Sequence, residues 1–209
     1  MEREYKFFGS ENATMAPISE GFEVIRDPRD LYDLLSEVWS RETCAPRMRD
    51  EWSKENITRG QCSITAFLAQ DIFGGVVRGV ELDDGNYHCY NIVDGTAFDL
   101  TSEQFGDEKL VYDVENNPEQ LREVHFEKEE KHQRYLFLKK ELEKRLNKLR
   151  LLRLIDRAAK GNIKAAGELA DAYYTGKFGD TNHAKAKKWA SYAAKHGDAK
   201  AQEILNSLK

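Results

Sequence analysis

Three side chains in the middle of the chain could together perform nucleophilic catalysis. Cys62 opens an apolar run that ends at Leu68, and His88 and Asp99 follow in a segment rich in strand-forming residues. A cysteine attacks as its thiolate, an imidazole takes up and returns the proton, and a carboxylate orients the imidazole and supports its charge. The order therefore predicts a cysteine-dependent site with Cys62 as nucleophile, His88 as acid and base, and Asp99 as the orienting group.

An Asp-Gly pair predicts the turn that brings His88 and Asp99 together. It lies between strand-like segments over residues 87–93 and 96–101, which is typical of a two-residue hairpin loop. In that register Tyr90 lies opposite Asp99. Because side chains alternate along a strand, His88 shares the face of Tyr90 and is a diagonal neighbour of Asp99, at a Cβ separation of roughly 7 Å or less.

The same register makes two further predictions. It pairs Val93 with Thr96, and it puts Asn91 on the face opposite His88 unless a bulge turns the amide inward. Cys89 alternates with His88, so its thiol is expected to point away from the imidazole and into the core.

The cysteine is expected near the start of a helix over residues 58–73. Four apolar residues form one stripe at helical spacing, namely Ile64, Phe67, Leu68 and Ile72. A glycine pair at positions 74 and 75 is typical of a helix end. The positive end of the helix dipole would lower the pKa of the Cys62 thiol. The first backbone N–H groups, helped by the Gln61 amide, would hold an oxyanion.

Each of these residues also has a non-catalytic interpretation. Cys62 could be a buried structural thiol, Asp99 could cap a turn, and Gln61 could stabilise the helix start. The sequence therefore leaves open whether the site is catalytic or a pocket without turnover. The candidate oxyanion and substrate-binding residues are Gln61, Trp52, Tyr90 and Asn91.

Composition limits the class of protein. The chain has 209 residues, of which 40% are hydrophobic and 33% charged, which suits a globular fold with a well-solvated surface. No apolar run is long enough for a transmembrane helix, and the first residues lack the pattern of a secretory signal. The three cysteines, Cys44, Cys62 and Cys89, have no metal-ligand spacing. We expect a cytoplasmic protein without a metal or cofactor.

The charge is divided between two parts of the chain. Residues 1–126 contain 12 Lys and Arg against 26 Asp and Glu, whereas residues 127–209 contain 20 against 11. We therefore expect two domains, the first with a core over residues 22–115, and opposite charge would help them to dock. Residues 1–20 lack periodicity and are expected to form a loosely held arm. The basic part has no nucleic-acid-binding motif, so we do not expect a nucleic-acid partner.

The second part begins with one long predicted helix over residues 127–160, which contains no glycine or proline. A repeat with a period of 36 residues follows, seen in the pairs Gly161 and Gly197, Ala165 and Ala201, and Leu169 and Leu205. Residues 153–208 resemble the Sel1-like repeat, a relative of the tetratricopeptide repeat. The matching positions are Leu169, Tyr173, Gly176, Asp180, Ala184, Ala186, Trp189, Ala193, Ala194 and Gly197. The resemblance implies an all-α module that binds a protein or peptide partner. Because only one and a half units are present, the long helix is expected to pack as the preceding element.

A series of ordered motifs over residues 31–106 is similar to the YunG family of small bacterial proteins. Its elements are Trp39-x-x-Glu42-Thr43-Cys44-x-Pro46, Trp52-x-x-Glu55-Asn56, Gly60-Gln61-Cys62-x-x-Thr65-Ala66, Gln70-Asp71-x-Phe73-Gly74-Gly75, His88-x-Tyr90-Asn91, Asp94-Gly95, Asp99-Leu100-Thr101 and Gln104-Phe105. The family usually has proline where this chain has Ile57, a change that affects loop rigidity and leaves the three candidate catalytic residues in place.

The YunG resemblance implies a papain-like α+β domain in which an antiparallel sheet packs on the helix that carries Cys62. One hypothesis is a hydrolase or acyltransferase acting on an amide, isopeptide or γ-glutamyl bond, with the repeats recruiting a protein. The alternative is an interaction protein whose papain-like scaffold binds a peptide or small molecule without turnover. The sequence does not specify the substrate or the oligomeric state.

Overall fold

The chain folds as two compact units, one up to Leu142 and the other over Glu143–Lys209, and each is described by itself. The computed structural model describes residues 4–209, so the first three residues of the expected arm lie outside the described residues. The first unit combines helices with a small antiparallel sheet, and the second is helical, which agrees with the α+β class. None of the helices over residues 4–209 is long and apolar enough to cross a membrane.

Over its described residues, 4–142, the first unit contains three strands and four α-helices, the last of which extends into the second unit. In chain order they are α1 (Pro28–Ser36), α2 (Cys62–Phe73), β1 (Val76–Glu81), β2 (Tyr87–Val93), β3 (Thr96–Phe98), α3 (Arg122–Phe126) and α4 (Glu129–Ala159). Two short 3-10 helices over Pro46–Met48 and Ser102–Phe105 lie in the connections.

The sheet has the order β1-β2-β3, and both pairs are antiparallel. Val93 pairs with Thr96, so the predicted hairpin register is confirmed. The third strand is shorter than expected, because β3 ends at Phe98, which pairs with Asn91. Residues 88–90 of β2 therefore have no partner in β3, and this side of the strand is left for contacts with other segments.

The expectation of a loosely held arm is wrong for the part of it that the structure describes. Phe7 and Ala13 are fully buried, and the hydroxyl of Tyr5 donates to Asp33 in α1 at 2.9 Å. Phe8 forms an isolated bridge with Asp99, whose N–H donates to the Phe8 carbonyl at 3.0 Å. The arm thus supplies a backbone partner for Asp99, the residue that follows β3, and holds it in place.

Helix α2 begins at Cys62, four residues later than predicted. Gly60 has φ of +68°, which is outside the helical region. It also lies so close to Cys44 that a Cβ on Gly60 would be 2.7 Å from the Cys44 sulfur. The helix ends at Phe73 with Gly74 as its cap at φ of +77°, which confirms the predicted end. This packing makes Cys62 the first residue of the helix.

The second unit contains the end of α4 and three further helices, α5 (Ile163–Thr175), α6 (His183–Lys195) and α7 (Ala199–Ser207). Its core is built largely from small side chains at repeat positions, among them Ala165, Ala186, Ala193 and Ala201. Leu154 and Ala158 of α4 belong to the same core. Small residues let helices approach closely. Because α4 contributes to this core, the long helix is the packing partner that precedes α5, as expected.

Candidate active site

His88 and Asp99 form a buried hydrogen-bonded pair. The Nε2 atom of His88 lies 2.5 Å from Oδ2 of Asp99, and both side chains are almost completely buried. The Tyr112 hydroxyl donates to the same carboxylate oxygen at 2.8 Å, while the backbone N–H and hydroxyl of Thr101 each donate to Oδ1 at 2.9 Å. The rings of Phe105 and His88 pack edge to face, with centroids 4.7 Å apart. The carboxylate is held from both sides, so the orientation of the His88 ring is fixed.

The Cys62 side chain completes a connected series of three groups. Because Asp99 occupies Nε2 of His88, the ring nitrogen that faces the Cys62 sulfur is Nδ1. Burial alone would lower the pKa of His88, but the charges of Asp99 and Cys62, and hydrogen bonds with both, raise it to about 10. The geometry thus favours an imidazolium at position 88.

The pKa of Cys62 lies well below that of an ordinary thiol. The main cause is a hydrogen bond from the Cys89 thiol to the Cys62 sulfur. This bond outweighs burial and is reinforced by the His88 charge and by the Cys89 backbone N–H. Together with the raised pKa of His88, it describes a thiolate and imidazolium pair, which is the reactive form of a cysteine nucleophile.

The other two cysteines have the opposite electrostatics. Donation to Cys62 and burial raise the pKa of Cys89, and burial raises the pKa of Cys44. Both are buried, whereas Cys62 is partly exposed. Cys89 lies in the core as predicted, but the sequence did not indicate that its thiol contacts Cys62. The difference among the three thiols predicts selective chemistry at Cys62.

The start of α2 lacks a side-chain cap. Four other helices, α1, α5, α6 and α7, begin with an Asp or Asn side chain that accepts a first-turn N–H. At α2 the preceding residue, Gln61, is fully buried and donates instead to the Ser40 carbonyl at 3.0 Å. The first N–H groups of a helix have no intrahelical partner. At Cys62 they are therefore suited to an acyl oxygen.

Three of the predicted substrate-binding residues lie elsewhere. The hydroxyl of Tyr90 donates to the Asp113 carbonyl at 3.0 Å, and the amide of Asn91 donates to the Ala66 carbonyl of α2 at 2.8 Å. Tyr90 and Asn91 are both buried. Trp52 donates its indole N–H to a backbone carbonyl of its own loop at 3.0 Å. None of the three lines the cavity beside Cys62.

The cavity beside Cys62 has a volume of about 490 Å³ and an electropositive wall. It is bounded by the 3-10 helix over Pro46–Met48, by the turn between β1 and β2, by α3 and by the first turns of α4. Its charged lining residues are Arg47, Lys128, Glu130, Lys131 and Arg134. The described residues contain no group of three or more His, Cys, Asp or Glu side chains that could hold a metal ion.

Three residues on this wall, Gln120, His125 and Lys131, were not predicted from the sequence. His125 accepts a hydrogen bond from the Lys131 ammonium at Nδ1 and donates from Nε2 to the Gln120 side chain, each at 2.9 Å. Burial, followed by the Lys131 charge, lowers the pKa of His125 to about 4, so the imidazole is neutral. No motif marks these residues, because only the packing of α3 and α4 brings them to the cavity.

Comparison with known proteins gives the family. The family model described as YunG protein matches residues 27–147, more than half of the chain. The chain belongs to the YunG family. A YunG relative from Bacillus subtilis (strain 168), the "Uncharacterized protein YunG", is 38% identical over 72 residues. The aligned region covers 34% of this chain and 57% of that relative, so the chain spans less than two thirds of the relative's length. No solved structure matches the chain significantly.

The YunG match contains the whole arrangement around Cys62. His88 and Asp99 lie within it, as do His125 and Lys131 on the cavity wall. Most of the helical unit after Glu143 lies beyond the matched residues. The candidate site is therefore a feature of the YunG part of the chain.

Proposed function

We propose that this YunG family member is a cysteine-dependent hydrolase or acyltransferase that acts on an amide, isopeptide or γ-glutamyl bond. One observation carries the proposal: the buried Asp99 carboxylate holds His88, and His88 in turn faces a partly exposed Cys62 whose pKa is strongly lowered. A purely structural cysteine is normally buried and protonated. This one has the environment of a nucleophile at the edge of a cavity.

The placement of these groups supports a papain-like organisation of the site. The nucleophile is the first residue of α2, the imidazole lies on the antiparallel strand β2, and the carboxylate directly follows β3. The helix start provides unpaired backbone N–H groups beside the sulfur, and the sheet presents the acid and base.

The proposed reaction has two stages. The Cys62 thiolate attacks the carbonyl carbon, and the resulting oxyanion is held by N–H groups at the start of α2. The carbon–nitrogen bond then breaks as His88 gives its proton from Nδ1 to the leaving amine, which leaves a thioester on Cys62. In the second stage His88 takes a proton from water or an acceptor amine, which attacks the thioester and releases Cys62. Asp99 stabilises the imidazolium throughout.

The test is to trap the acyl-enzyme with p-nitrophenyl acetate on the full chain. We expect a burst of p-nitrophenolate, and an acetyl group on the peptide that contains Cys62 by mass spectrometry. Cys62→Ala and His88→Ala should abolish the burst, whereas Cys44→Ala should keep it because that thiol is buried and its pKa is raised. Faster release on addition of a primary amine would indicate an acyltransferase, and an unchanged rate a hydrolase.

The opposite result has a defined meaning. A folded protein whose Cys62 reacts with iodoacetamide but forms no acetyl adduct would contradict catalysis. It would favour a scaffold that binds a peptide or small molecule without turnover.

We also propose that residues 153–208 form a Sel1-like repeat that binds a protein or peptide partner. The burial of the repeat-position alanines and the left-handed cap at Gly176 support this assignment. A photoreactive amino acid at exposed Lys188 should cross-link a partner in cells that express the full chain. The same group at exposed Asp94 of the first unit is the control, and equal cross-linking from both positions would contradict the proposal.

A further inference from the structure

Four cations line the Cys62 cavity, and among the residues that the structure describes only the two arginines are paired with carboxylates. Arg47 pairs with Asp84 at 3.3 Å, and Arg134 pairs with Glu130 and donates to a backbone carbonyl. Lys131 is half-buried, and among the residues that the structure describes it has no carboxylate within ion-pair distance. Its hydrogen-bond partner there is the neutral imidazole of His125.

The structure holds the Lys131 ammonium in place. Its partner His125 is fixed by Gln120, whose backbone N–H donates to the Val77 carbonyl of β1 at 2.8 Å. The Gln120 side chain lies directly over Gly79, where a Cβ would be 2.6 Å from the amide nitrogen. A hydrogen-bonded series therefore runs from the sheet to the ammonium, which restricts where the charge can lie.

The ammonium and the reactive sulfur belong to residues that line the same cavity. Burial is the main cause of the lowered pKa of Lys131, against the charges of Cys89 and Cys62. A half-buried ammonium is costly to keep charged without an anion. The Cys62 thiolate is paired with the His88 imidazolium, so a ligand carboxylate in the cavity would supply the ammonium with an anion of its own.

We infer that the cavity takes a substrate with a carboxylate near the carbonyl that Cys62 attacks, and that Lys131 binds this carboxylate. The inference rests on the proposed function, since it names the substrate class of the same site. The neighbouring exposed Lys128 adds positive potential at the rim of the cavity. Arg47 and Arg134 also line the cavity, but they are already paired with Asp84 and Glu130.

Two alkylating reagents test the inference without requiring turnover. Iodoacetate and iodoacetamide both form a sulfur–carbon bond to Cys62 as the carbon–iodine bond breaks and iodide leaves, and they differ in carrying a carboxylate or a neutral amide. The rate ratio of iodoacetate to iodoacetamide should exceed that of N-acetylcysteine by about tenfold or more. The thiolate fraction cancels in this ratio, so a changed Cys62 pKa does not affect it.

Variants of the full chain assign the effect. Lys131→Gln should return the ratio to that of N-acetylcysteine. Lys140→Gln, which removes an exposed lysine of α4 outside the cavity lining, should leave it raised. A wild-type ratio equal to that of the small thiol would overturn the inference. A raised ratio that survives Lys131→Gln would equally overturn the assignment to Lys131.

Protection of the wild-type chain gives a measurement that needs no variant. Succinate should slow alkylation of Cys62 by iodoacetamide in a saturable manner, whereas the neutral succinamide should not. Equal protection, or none, would overturn the inference. Alkylation needs only the thiolate, so the two failures are distinguishable. An anion preference without an acetyl-enzyme would refute the proposed catalysis and leave Lys131 as a carboxylate-binding residue, whereas an acetyl-enzyme without anion preference would refute this inference alone.

Discussion

Replacing Asp99 with asparagine tests whether the carboxylate acts on the thiol through His88. The replacement keeps the shape of the side chain and one acceptor oxygen, which can remain on Thr101 as Oδ1 does now. The amide nitrogen would then face His88 in place of Oδ2. As a donor it would favour the imidazole tautomer with a bare Nε2 and a protonated Nδ1, which cannot accept the Cys62 proton. The thiolate and imidazolium pair would be lost, so the pKa of Cys62 should rise.

The size of the effect follows from the bond that is removed. A hydrogen bond to a charged group contributes about 1.5–3 kcal/mol, and a tenfold change in an equilibrium corresponds to about 1.4 kcal/mol. At a pH below the Cys62 pKa of both forms, the iodoacetamide rate of Asp99→Asn should therefore fall by about 10- to 100-fold. Stability does not discriminate, because the variant loses about 1–3 kcal/mol of unfolding free energy whether Asp99 is functional or structural.

The assay is the pseudo-first-order rate of Cys62 alkylation as a function of pH, with circular dichroism to verify the fold. Asp113→Asn is the matched control, since that carboxylate accepts N–H groups of Glu115 and Asn116 in its own loop. It should leave the Cys62 profile unchanged. A folded Asp99→Asn protein with the wild-type Cys62 pKa would show that Asp99 is structural and does not act on the thiol through His88.

Further predictions concern the thiols, the pH profile and the helical unit. Cys62 should be the only cysteine that iodoacetamide alkylates rapidly near neutral pH. Mass spectrometry that finds Cys44 or Cys89 faster would contradict the catalytic hypothesis. Cys89→Ala should raise the pKa of Cys62, because it removes the thiol that donates to the Cys62 sulfur. The same titration measures this pKa, with Cys44→Ala as the control. An unchanged pKa would show that the Cys89 thiol does not lower the pKa of Cys62. Acylation by an amide such as a p-nitroanilide, followed by release of the amine, should fall as pH rises through about 10, because His88 then loses the proton that the leaving amine needs. Because folding raises the pKa of His88 from 6.5 to about 10, its contribution to stability should be complete below pH 6.5 and should be lost as the pH rises to about 10. Leu169→Ala should lower the unfolding free energy of the second unit by about 2–5 kcal/mol, seen as weaker amide exchange protection in α5–α7, and unchanged protection would count against this core.

Local patterns in the sequence determined the hairpin and the end of the cysteine helix. The Asp-Gly turn and the alternation of side chains set the register of β2 and β3, which predicted that His88 and Asp99 are neighbours. Gly74 ended α2 because its positive φ is unfavourable for other residues. These features depend on a few adjacent residues, so their physical causes are visible in the sequence. The resemblance to the YunG family was likewise carried by short ordered motifs.

Tertiary structure alone decided what surrounds Cys62. Gly60 has a positive φ and packs on Cys44, so the helix begins after it, and helical periodicity does not encode this contact. The hydrogen bond from Cys89 and the cavity wall with Lys131 join segments that are far apart in the chain. Periodicity shows which face of an element is buried but not which neighbour that face meets, since many packings bury the same apolar area. The sequence therefore identified the candidate catalytic residues, and the packing of α3 and α4 added the charged residues on the cavity wall beside Cys62.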